Sequence, residues 1–248
     1  MRAWTTGIFA GVLALTAAAA PATAEQVDLE LVLAADGSGS IDDDELYLQR
    51  EGWAQAITSK EVLDAICSGM IGTIVVQYME WGSERSQVVI VDWMEIRDEA
   101  SAAAFAEALR TRPRGATGYN SISMAVDVSV AAMEANRWRG LRRIIDVSAD
   151  AGNRGGRPMM VARDEAVAKG VTINALTIDR GSRPGLVAGH ATLEDYFRAE
   201  VIGGPGAFLE IADATTPFTV AARRKLIQEI AGVPPPETVA GADAPLRR

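Results

Sequence analysis

Asp36, Ser38 and Ser40 stand at alternate positions with Gly37 and Gly39 between them, a D-x-S-x-S phrase that puts one carboxylate and two hydroxyls on a tight turn. Glycine lies where the backbone has to bend. Oxygen-only ligands carrying little charge suit a hard divalent cation, Mg2+ or Mn2+. The plainer use of these residues is a Gly/Ser turn in which Asp36 caps a backbone amide. Two further oxygen-bearing phrases follow, Gly115-Ala116-Thr117 and Ala149-Asp150. If the three loops meet, Asp36, Ser38, Ser40, Thr117 and Asp150 surround one cation with two carboxylates and three hydroxyls. Such a set leaves the metal incompletely neutralised, able to keep waters and to draw a carboxylate from outside. It suits adhesion better than hydrolysis, since no general base is evident beside it.

Those loops need strands to deliver them. Leu29 to Ala35 is an apolar run too short for a helix, and it ends abruptly at Asp36. That predicts a buried strand opening a polar loop at its carboxyl end, where open α/β sheets hold their ligands. Asp42-Asp43-Asp44 supplies an N-cap and first-turn acids for a helix to about Ile57, with Leu46, Trp53, Ala54 and Ile57 inward and Arg50 and Glu51 outward. A short helix over Glu61 to Ile66 comes next. Strands Ile71 to Met79 and Gln87 to Trp93 are joined by a link so short that only a hairpin fits, so one strand is antiparallel and at an edge. Further helices are predicted over Ala100 to Leu109, Ser121 to Met133, Pro158 to Ala168, Leu193 to Val201 and from Thr216-Pro217 to Ile230. Strands fall at Leu141 to Ser148, Val171 to Ile178 and Ala207 to Ile211. Strands alternating with helices make an α/β, doubly wound sheet.

The 248 residues carry a formal net charge of -9, which argues against nucleic acid or an anionic membrane surface as partner. Arg2, the apolar core Ile8 to Leu15 and Ala22-Thr23-Ala24 read as a signal peptide over 1–24, leaving Glu25 first and directing the chain to the periplasm or beyond. One domain over 25–232 follows, then a Pro-rich, polar stretch over 233–248 that reads as a disordered tail. After leader cleavage no apolar stretch is long enough to be transmembrane. Cys67 is the single cysteine, which excludes a disulfide scaffold, and its apolar surroundings read it as a buried small hydrophobe.

Rival chemistries find little support. Gly37-Ser38-Gly39-Ser40 does not match the G-x-S-x-G nucleophile elbow, and Asp42 stands where a G-x-G-x-x-G phrase needs its third glycine. His190, the sole histidine, sits in a loop phrase where solvation is its plain role. Trp53 and Trp93 read as core, whereas Trp81 in the hairpin link and Tyr119 after the Thr117 loop read as exposed partner contacts. Arg154 and Arg157 could steer an acidic partner or simply be solvated. Asp146, inside a strand rather than at its mouth, reads as accepting hydrogen bonds from a neighbouring loop.

Asp36-x-Ser38-x-Ser40 with Thr117 and Asp150 resembles the metal-ion-dependent adhesion site of von Willebrand factor type A domains. More closely, the chain resembles an uncharacterised bacterial secreted family related to that fold, through Gln77-Tyr78-Met79-Glu80-Trp81, Ile145 to Asp150, Val171 to Leu176 and Val201 to Phe208. The resemblance covers almost the whole chain after the leader, to near Gly232. It implies a six-stranded, mostly parallel sheet with one antiparallel edge strand. It further implies that Ser38 and Ser40 bind the cation directly, Thr117 in at least one conformation, and Asp36 and Asp150 directly or through water. One departure is that Asp150 lies between Ala149 and Ala151, where type A domains usually follow this ligand with glycine. The implied function is an exported protein-binding module whose metal engages a carboxylate of its partner. The alternative is a metal-assisted hydrolase, so the residues leave enzyme activity open while favouring binding.

Overall fold

Leu29, Leu31, Leu33 and Ala35 face one side of a strand and Val32 and Ala34 the other, and all are buried. This is β1 (Glu25–Asp36), which lies inside a six-stranded sheet and is covered on both faces. The computed structural model describes residues 24–179, 187 and 189–232. Residues 1–23, 180–186, 188 and 233–248 lie outside the described residues, and with them nearly all of the expected signal peptide and the expected tail.

The chain runs from β1 through α1 (Asp43–Ile57) and α2 (Lys60–Cys67) to β2 (Ile74–Trp81) and β3 (Gln87–Ile96). After α3 (Glu99–Thr111) and α4 (Ile122–Ala135) come β4 (Trp138–Ala149), α5 (Met159–Ala168) and β5 (Thr172–Ile178). A single turn α6 (Leu193–Tyr196) widens into a π-helical turn over Phe197–Val201, and β6 (Leu209–Ala212) and α7 (Phe218–Ala231) close the order. The strand order is β3-β2-β1-β4-β5-β6, parallel except for the antiparallel edge pair β2–β3. Sequence order therefore runs outward in both directions from β1. The mouth of β1 is the topological switch point, where open α/β sheets leave a crevice.

α1, α2, α3 and α7 cover one face, where Trp53, Ile57, Ile66, Phe105 and Leu226 pack on the odd-numbered residues of β1. α4, α5 and the α6 turn cover the other, with Ile122, Val126, Met159 and Phe197 against Val32, Ala34 and Val147. α1 starts where its acids predict: Asp42 Oδ1 accepts Glu45 N at 2.8 Å, and Glu45 Oε2 accepts Asp42 N at 2.9 Å. Among the described residues no helix is long and apolar enough to cross a membrane.

Several sequence expectations need correcting. Residues 71–73 are a turn rather than strand, because the Asp28 carboxylate gathers the amides of Ile71, Gly72 and Thr73. β2 extends instead to Trp81. That indole is fully buried and donates to Ala34 O at 3.0 Å, so Trp81 is not an exposed partner contact. Arg50 does not look outward: it is buried against Glu80. Cys67 is exposed, since Val62 and Ile66 take the inward face of α2 and the next residue turns away. Among the described residues Asp146 meets no loop donor; its partner is Lys225 of α7, with Nζ 3.2 Å from Oδ1. β4 opens at Trp138, three residues before the expected Leu141, which is itself exposed.

Candidate metal centre

β1 delivers Asp36 to the switch point fully buried. Its Oδ1 accepts Ser38 N at 2.8 Å and its Oδ2 accepts Asn120 Nδ2 at 3.2 Å. The chain then turns outward, bringing Ser38 Oγ to 3.2 Å from Ser40 Oγ. Ser40 Oγ donates to Asp150 Oδ1 at 3.0 Å across 110 positions of sequence. Asp36, Ser38, Ser40 and Asp150 thus form one continuous group of oxygens.

The Thr117 loop borders the same turn. Gly39 N donates to Gly118 O at 2.8 Å, and Ser83 N donates to Thr117 O at 3.1 Å. Thr117 itself is exposed and its amide donates to Ser86 Oγ. Gly82 permits this approach: a Cβ there would lie 2.2 Å from Thr117 O and 2.7 Å from Thr117 C. Both are backbone atoms and cannot swing aside. Gly82→Ala is therefore expected to push the Thr117 loop outward and lower stability by about 1–3 kcal/mol, as overpacking does; thermal denaturation of the variant checks it.

Three residues that the sequence reading missed tie the loops together. Gln49 Nε2 donates to Asp36 O at 3.2 Å while its Oε1 accepts Ser148 Oγ at 3.2 Å, joining the ends of β1 and β4. Asn120 holds Asp36 from one side, and its carbonyl accepts Arg154 N at 2.7 Å and Gly155 N at 3.1 Å. Glu80, buried at the end of β2, accepts Arg50 Nε and Nη2 on Oε1 at 2.8 and 2.6 Å and Gly115 N on Oε2 at 2.8 Å. Only Glu80 offered a signal, as an acid near a strand end; Gln49 lies within α1 and Asn120 in the loop before α4, where polar residues are ordinary.

Electrostatics mark the centre. Burial, helped by the negative charge of Asp150, pushes the Asp36 carboxyl up to about 7, against hydrogen bonds from Ser38. A cation beside Asp36 would relieve the cost of burying its charge. The donor set is two carboxylates plus hydroxyls, and it fits a hard divalent ion. Among the described residues no three His, Cys, Asp or Glu side chains gather as a metal cluster, so any ion here depends on the serine and threonine hydroxyls.

Of the residues expected nearby, Tyr119 is 79% exposed, on the loop between Gly118 and buried Asn120. Arg157 is committed to Asp127 and Glu165 and is not free to steer a partner. Arg154 is exposed. His190 pairs with Glu200, Nε2 to Oε1 at 3.0 Å, and its ring meets Tyr196 edge-on.

A family model described as "Protein of unknown function (DUF1194)" matches residues 26–234. No curated protein matches the chain. Among solved structures, von Willebrand factor type A from Catenulispora acidiphila aligns with TM-score 0.55 and 15% identity over 83% of this chain and 42% of that one. The pilus adhesin SpaC from Lactobacillus rhamnosus GG aligns with TM-score 0.57 and 14% identity over 84% and 31%. Proximal thread matrix protein 1 from the mussel byssus, described with a zinc-occupied MIDAS motif, aligns with TM-score 0.54 and 14% identity over 84% and 49%. This chain spans less than half the length of each of the three. The fold is that of von Willebrand factor type A domains.

Proposed function

The chain belongs to the DUF1194 family, and on that premise we propose that it is a protein-binding module that engages its partner through a divalent cation. Asp36, Ser38, Ser40, Thr117 and Asp150 would hold Mg2+ or Mn2+, with Tyr119 as a partner contact beside them. When bound, the ion would supply a positive centre with room for a carboxylate of the partner. The observation that carries this reading is the run Ser38 Oγ–Ser40 Oγ–Asp150 Oδ1 at the switch point, beside a buried Asp36 that lacks a positive partner in its hydrogen-bond set. The fold it shares with an adhesin and with a protein carrying an occupied MIDAS supports the same reading. Residues 1–24 would be an export leader to the periplasm or beyond, 25–232 the binding domain and 233–248 a tail.

Calorimetric titration with Mg2+ and Mn2+ tests the site. Wild type is expected to bind one ion. Asp36→Ala is expected to abolish the binding while far-UV circular dichroism stays unchanged, because the change removes one carboxylate and leaves the apolar face of β1 intact. Wild type that binds neither ion overturns the reading, as does an Asp36→Ala variant that binds as well as wild type.

A further inference from the structure

We propose that Arg114 is the positioning residue of this centre: its guanidinium shapes the 37–41 loop before any ion arrives. The inference rests on the reading of that loop as a cation site. Arg114 Nη2 donates to Gly37 O at 2.8 Å, Ser38 O at 3.0 Å and Ile41 O at 2.8 Å. Nε donates to Ala116 O at 3.2 Å, so one planar group grips both the serine loop and the loop leading to Thr117. A guanidinium can do this because its N–H groups lie in a fixed fork.

The arrangement has a chemical consequence for the ion. The carbonyls of Gly37, Ser38 and Ile41 are turned onto Arg114 and so away from a cation, beside which the Ser38 and Ser40 hydroxyls and the Asp36 carboxylate are the side-chain donors. The arginine's own charge would repel a neighbouring cation, and it is offset by Asp43, whose Oδ1 lies 2.8 Å from Nη1. Behind Arg114 the Arg50–Glu80 pair fixes the same segment: Arg50 donates to the carbonyls of Arg112 and Pro113, and Glu80 takes the amide of Gly115. Outer groups that orient metal ligands in this way typically change metal affinity about 10–100-fold when removed.

Arg114 also lines an open cavity of about 250 Å³ with Leu46, Tyr47, Arg50 and Arg110. Its side chain is 24% exposed, so a small cation in solution can reach the space it would vacate. That makes chemical rescue the decisive test. By calorimetry, Arg114→Ala is expected to bind Mg2+ at least about tenfold more weakly than wild type. Methylguanidinium should restore a measurable part of that loss, and tetramethylammonium, which has the charge without N–H donors, should not. Arg114→Lys keeps the charge without the fork and should fall between the two.

A merely structural role would lower the melting temperature in EDTA and leave the Mg2+ affinity ratio at one. Unchanged Mg2+ affinity in Arg114→Ala overturns the inference, as does a loss that methylguanidinium fails to relieve or that tetramethylammonium relieves equally. If Arg114→Ala does not fold, Arg114→Lys carries the test, and affinity equal to wild type overturns it. Wild type that binds no ion is a different failure, since it overturns the cation site itself.

Discussion

Lys225→Met is expected to cost the protein about 3–5 kcal/mol of stability, because it strips the cation from a fully buried charge cluster. Lys225 Nζ lies 2.7 Å from Glu229 Oε1 one turn along α7 and 3.2 Å from Asp146 Oδ1 on β4, and all three side chains are inaccessible to water. Asn174 Nδ2 donates to the same Glu229 oxygen at 2.8 Å, and the ammonium sits 4.5 Å from the centre of the Phe208 ring. Two acids share one base here. Burial, then the charge of Glu229, accordingly pushes the Asp146 carboxyl up to about 8 against the pull of Lys225.

The sign of the pH dependence follows. The folded state holds a proton on Asp146 between roughly pH 4 and 8 that the unfolded chain releases near its ordinary value, so stability declines as pH rises through that window. Denaturant titrations at several pH values check both points. They are best run in an Asp36→Asn, Glu210→Gln background, so that the other carboxyls raised by burial do not add their own slopes. Replacing Asp146 and Glu229 together with Lys225 by apolar residues of similar size should recover most of the loss, since the penalty is the stranded charge rather than the missing bridge.

Arg50→Ala is the second large effect, again about 3–5 kcal/mol, because it breaks a buried ion pair and leaves Glu80 buried without its partner. The loss should extend beyond stability. The carbonyls of Arg112 and Pro113 lose their donor, and the Glu80 carboxylate that fixes Gly115 loses its own anchor. Thermal denaturation should therefore show a lower midpoint, and Mg2+ titration of the folded variant a weaker site. The exposed pair Lys60–Asp64 is the natural control: solvent screens it, and Lys60→Ala should leave both measurements where they were.

These two clusters also mark where sequence reading stops. The alternation of Leu29 to Ala35 and the acid–glycine–serine break after it announce a strand mouth, and β1 ends at Asp36. The acidic triplet at 42–44 announces a helix start, and the capping box stands there. Local pattern reaches that far because strand period, turn chemistry and capping are properties of neighbours in the chain. Arg50 defeats it. A charged residue in an amphipathic helix reads as solvated, and only the arrival of Glu80 from β2 makes burial affordable. Lys225 fails for the same reason, since its counter-charge on β4 is far away in sequence. Trp81 was misplaced because the hairpin turns later than its composition suggests, at Gly82, whose amide donates to Ser86 O. Ser40 and Asp150 meet because both follow strands that lie side by side, which the βαβ pattern implies without giving a distance.

The position of β1 also shapes how the molecule is made. The strand at the heart of the sheet is synthesised before the other five, yet Leu29 pairs with both Ile74 and Arg142, and the second partner is synthesised on the order of a hundred residues later. Until β4 exists, one edge of β1 and much of its apolar surface have nothing to join. Folding is thus dominated by distant, parallel pairings, the slow end of the kinetic range, and a nascent chain stopped before Ala149 is a client for chaperones rather than a smaller version of the native protein.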